Sequence, residues 1–97
     1  MSVKMRHLQE QFIHLVRLAW ELRCLGMATS LVVRPDEIPV LDVLRTTGRP
    51  VRVRAVRRAH GWAFTWRPSW SRFWRLGEWV WALDAQAAER VMSAVIA

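Results

Sequence analysis

The chain has 97 residues, 15 of them basic and 8 acidic, with 53% hydrophobic residues and seven tryptophans. That length holds one domain (residues 1–97) and one core, which excludes a large multi-layer enzyme fold. The aromatic and β-branched content excludes a disordered chain, and a single cysteine, Cys24, excludes an intramolecular disulfide and fits a reducing cytosol.

Residues 4–25 read as one amphipathic helix. Met5, Leu8, Phe12, Leu15, Ala19 and Leu22 recur three and four apart, and Ile13, Val16 and Trp20 widen that stripe to one side. Arg6/Glu10 and Arg17/Glu21 are opposite charges four apart on the polar side. Gly26 is the expected C-terminal stop. A helix of this length spans ~33 Å, more than a small sheet is wide, so part of it is expected to reach a second subunit. Arg17, Glu21 and Arg23 interrupt its apolar sequence, so neither a signal peptide nor a membrane span is expected.

Short strands follow. Leu31-Val32-Val33 within residues 28–34 ends at the turn Arg34-Pro35-Asp36, and Pro39 introduces Val40-Leu41-Asp42-Val43-Leu44. After Thr46-Thr47-Gly48, Val51, Val53 and Ala55 alternate with Arg52 and Arg54, and Trp62-Ala63-Phe64-Thr65-Trp66 alternates in turn. With a tight turn at His60-Gly61 this is a hairpin signature. A hairpin loop of even length puts Trp62, Phe64 and Trp66 on the face of Val51, Val53 and Ala55. Arg52, Arg54, Arg58 and Arg67 then share the other face with Val56, Ala63 and Thr65. Burial of the aromatic side favours the even loop.

Pro68 ends this strand, and residues 69–76 fit either a helical turn or a loop. Trp79-Val80-Trp81-Ala82 reads as a last strand. Asp84 is the expected N-cap of a closing helix to about residue 96, with Ala88, Val91 and Val95 inward. The fold class is α+β: a long N-terminal helix, a four- to five-stranded antiparallel sheet and a C-terminal helix, in two layers.

Charge is unevenly placed. Residues 1–48 carry a net +1, residues 49–75 eight arginines and no acid, and residues 76–97 a net −2. The basic stretch also holds four of the tryptophans and two of the three phenylalanines. Two candidate surfaces lie within it. Arg52, Arg54, Arg57, Arg58 and Arg67 form a candidate phosphate or nucleic-acid surface, since arginine pairs bidentately with phosphate oxygens. Five such contacts on duplex DNA correspond to a salt slope of about −4.5. The competing reading is a solvated strand face whose charges oppose edge-to-edge aggregation. Opposite facing of arginine and tryptophan in the hairpin argues against a base-stacking surface there. The second candidate is Trp70, Arg72, Phe73, Trp74 and Arg75, with Trp20 on the helix, a set that suits a protein interface. Its competing reading is a cap folded back over the core. Trp79 and Trp81 share a strand face and read as core or interface.

Catalytic chemistry finds little support. Cys24 lies near a helix C-terminus, where the dipole disfavours a thiolate. His7 and His14 are two turns apart rather than the four residues of a helical zinc pair. Asp36, Glu37 and Asp42 are the acidic cluster, with Asp36 serving loop geometry. No catalytic residue, metal ligand or cofactor is expected.

Asp36-Glu37-Ile38-Pro39-Val40-Leu41-Asp42-Val43, Trp62-Ala63-Phe64-Thr65-Trp66, and Trp81-Ala82-Leu83-Asp84 leading into Ala87-Ala88-Glu89-Arg90-Val91 together resemble small uncharacterised proteins of high-GC bacteria. Some of those sit beside regulatory genes. The resemblance covers most of the chain and implies neither a catalytic residue nor a cofactor. The helix–sheet–helix order is also similar to dimeric secretion-chaperone folds. The functional expectation is a non-enzymatic cytoplasmic interaction or regulatory module, homodimeric and binding a protein partner through the aromatic/Arg patch. The alternative is nucleic-acid binding through the basic face of the 51–67 hairpin.

Overall fold

The computed structural model describes residues 3–35, 37–66 and 78–96. Helix α1 (Val3–Cys24) is followed by strands β1 (Thr29–Val32), β2 (Val40–Val43), β3 (Val51–Arg58), β4 (Gly61–Trp66) and β5 (Glu78–Trp81). Helix α2 (Ala87–Ile96) closes the chain. The five strands form one sheet in sequence order, every neighbour antiparallel. The α+β class, the helix–sheet–helix order and the fifth strand agree with the sequence reading.

Local chemistry sets the element ends. At the end of α1, the Gly26 N–H donates to the Arg23 carbonyl and the Met27 N–H to the Leu22 carbonyl, both at 2.9 Å. That reciprocal pattern needs a left-handed residue, and Gly26 supplies it at φ 86°. Met27 then packs on the core beside Leu22. Before α2, the Asp84 carboxylate accepts the Gln86 N–H at 2.8 Å, as a capping residue should. The register pairs Arg58 with Gly61, so the two-residue hairpin loop is Ala59-His60. The sequence had placed the turn one residue later, at His60-Gly61. Gly61 instead opens β4, with a φ of 138° that favours glycine.

Both helices contribute to one core on one face of the sheet. Leu15, Leu18 and Leu22 of α1 and Ala87, Ala88, Val91 and Val95 of α2 meet Leu41, Val43, Val53, Ala55, Phe64, Trp66 and Val80. The loop has an even length, and Val53 pairs with Trp66 and Ala55 with Phe64, so the aromatic side of the hairpin is indeed the buried one.

The roll of α1 differs from the periodicity. The buried meridian is Leu15, Leu18 and Leu22, whereas Met5 and Phe12, expected inward, are exposed along with Ile13, Val16 and Trp20. Polar anchors account for the rotation. Gln11 Nε2 donates to the Ala55 carbonyl at 3.1 Å. Continuing the β2–β3 register places Pro39 opposite Ala55, and proline has no N–H to offer that carbonyl. One position earlier on the helix, Glu10 accepts the Trp62 indole N–H at 2.9 Å. These bonds turn the Glu10–Gln11 side of α1 toward the sheet and leave the flank from Met5 to Trp20 facing away.

Candidate interaction surfaces

Three surfaces gather the residues that the sequence singled out. The first is the helix-free face of the sheet. The register puts Asp42 opposite Arg52, Arg54 opposite Thr65, Thr65 opposite Trp79, and Ala63 opposite Trp81. Arg52, Arg54 and Arg58 therefore share a face with Trp79 and Trp81. The Arg58 guanidinium lies over the Trp79 ring at 4.5 Å, and Trp79 and Trp81 meet edge to face at 5.0 Å and 84°. Gly61 and Ala63 are the small residues between Arg58 and β5, and they leave room for that reach. Trp79 is 41% exposed. Arg52 donates to Asp42 at 3.2 Å through Nε, which offsets part of the positive charge at the β2 side. Among the described residues Arg58 makes no ion pair.

This arrangement corrects two expectations. Arg57 does not belong to the basic face. Strand alternation sends it to the helix side, where it lies 3.8 Å from Glu10 and over the Trp62 ring at 6.0 Å. And the helix-free face does combine tryptophan with arginine, because β5, not the hairpin, supplies the indoles. Hairpin parity could not reveal this, since the long link from β4 to β5 leaves the β5 register open. Arg67 lies outside the described residues.

The second surface is the exposed flank of α1. Met5, Phe12, Ile13, Val16 and Trp20 recur along one side of the helix, and Trp20 is 65% exposed. Arg17 and Glu21 form an ion pair at 3.3 Å near its C-terminal end. Of the expected protein-interface set, Trp20 stands here, whereas Trp70, Arg72, Phe73, Trp74 and Arg75 lie outside the described residues.

The third is a cluster between α1 and the hairpin that the sequence reading did not assemble. His7 contacts the Trp62 ring edge-on at 5.9 Å, and His14 lies 5.5 Å from it in a tilted arrangement. With Glu10 and Arg57 they surround one indole. Burial pushes the His14 pKa below its ordinary 6.5. Glu10 opposes that shift and Arg17 adds to it. The signal available in the sequence was the i, i+3, i+7 spacing of His7, Glu10 and His14. The acidic cluster does not converge: Asp42 holds Arg52, and Glu37 lies 4.0 Å from Arg34. Asp36 lies outside the described residues. Cys24 is a free, exposed thiol. No group of three His, Cys, Asp or Glu side chains among the described residues is placed to hold a metal ion. Among the same residues, no helix is long and apolar enough to cross a membrane.

Comparison with protein-family models, with curated proteins and with solved structures found no match.

Proposed function

We propose that this chain is a non-enzymatic interaction module that pairs with a second copy of itself through α1 and serves as a cytosolic accessory or regulatory protein. The observation that carries the reading is the exposed row Met5, Phe12, Ile13, Val16 and Trp20 on one flank of a helix whose other side is already seated on the sheet. A concentration of exposed large apolar side chains on one flank marks a contact surface. Tryptophan is favoured as an anchor in such contacts.

The flank is self-complementary, which a two-fold contact requires. In an antiparallel pair of α1 helices centred between Phe12 and Ile13, Met5 of each copy meets Trp20 of the other. Phe12 meets Ile13. The free exposed Cys24 fits a reducing compartment.

Sedimentation velocity tests the reading. A dimer is expected at high micromolar concentration, and Trp20→Glu should convert it to a monomer with an unchanged circular dichroism spectrum, since Trp20 takes no part in the core. A wild-type chain that stays monomeric at that concentration overturns the proposal.

A further inference from the structure

We infer that the helix-free face of the sheet binds single-stranded nucleic acid, with Trp79 stacking on a base and Arg52 and Arg58 taking flanking phosphates. Charge complementarity chooses the partner. Arg52, Arg54 and Arg58 come from the stretch of residues 49–75, which has eight arginines and no acid. The register puts all three on the face away from the helices. On this face Arg52 engages Asp42 through Nε. Arg52 remains 57% exposed, so its terminal nitrogens are left for a phosphate.

Aromatic placement chooses the form of the nucleic acid. Trp79 is on the edge strand β5, 41% exposed, braced edge-on by Trp81 at 5.0 Å and covered on one side by Arg58 at 4.5 Å. A base docking there meets either the indole or the guanidinium plane stacked on it, and bases stack on both kinds of surface. Bases of a duplex are already stacked on one another and cannot be laid on a sheet. Only an unpaired strand can use the tryptophan and the arginines together.

Fluorescence anisotropy with labelled probes of equal length tests this: oligothymidylate, a fully paired duplex, and an abasic phosphodiester strand, each at 50 and 200 mM salt. The expected order is oligothymidylate tightest. Its salt slope should be about −1.4 for two phosphate contacts on a single strand. Trp79→Ala should weaken oligothymidylate binding by about tenfold and leave the abasic strand unaffected. Arg52→Ser with Arg58→Ser should bring the salt slope toward zero. The inference is overturned by no binding at 50 mM salt, by a duplex or abasic strand bound as tightly as oligothymidylate, or by binding that Trp79→Ala leaves intact. Circular dichroism of each variant separates a lost site from a lost fold.

Discussion

At the scale of single residues, the consequential contacts are polar ones between α1 and the sheet. Gln11 bonds the Ala55 carbonyl that Pro39 leaves without a backbone donor. Gln11→Ala removes that bond from a partly buried carbonyl, and a loss of about 1 kcal/mol in urea unfolding is expected. His14 is the titrating counterpart. Its folded pKa lies below 6.5 because burial disfavours the charged ring. As pH falls through 6.5, the unfolded chain takes up a proton that the folded chain resists, so stability should decline from 6.5 down to the folded pKa and level off below it. His14→Gln should remove that decline from the stability profile over the same window. A profile that keeps its slope in the variant would assign the titration elsewhere.

At the scale of elements, hydrophobic periodicity located α1 but misjudged its roll. Two apolar meridians run along the helix, one through Leu15, Leu18 and Leu22 and one through Met5, Phe12, Val16 and Trp20. A count of apolar spacings does not rank them. The sheet selects the first because Glu10 and Gln11 find bonding partners only when that side faces it. Leu18→Ala should therefore cost about 2–5 kcal/mol, whereas Phe12→Ala should cost far less in the monomer. Equal losses in chemical denaturation would show that both meridians are packed. The hairpin turn offers a second test. Gly61→Ala forces a Cβ into a backbone conformation at φ 138° that side chains rarely adopt, although nothing crowds the space around it. The expected penalty is about 1–3 kcal/mol from backbone strain alone.

At the scale of the whole molecule, the two layers divide the candidate contacts. One sheet face is filled by helices, and the outer flank of α1 remains apolar beyond it. The opposite sheet face carries arginine and tryptophan. Self-association and strand binding should thus be separable by mutation, Trp20→Glu affecting only the first and Trp79→Ala only the second. The net charge of +7 acts on both. Repulsion between copies should make dimerisation stronger at higher salt, whereas strand binding weakens. A salt titration that moves both in the same direction would contradict the assignment of the two functions to different surfaces.

Much of the architecture was legible in the chain itself. Alternation in Val51–Ala55 and Trp62–Trp66, Gly26 after a long periodic run, and Asp84 ahead of an alanine-rich segment specify elements because they act within a few residues. Hairpin parity also follows from local geometry, and it sorted Arg52, Arg54 and Arg58 onto one face. Arg57 shows how the same alternation, applied one residue further, moves a residue to the other side. What the sequence determined by itself was the order of elements, their caps and the buried side of the hairpin. Only the tertiary structure decided the roll of α1, the clustering of His7, Glu10 and His14 around Trp62, and the meeting of Trp79 with Arg58. Each of those depends on groups brought together across many residues of chain, where no local period carries the register and long-range bonds choose among orientations that spacing alone leaves equal.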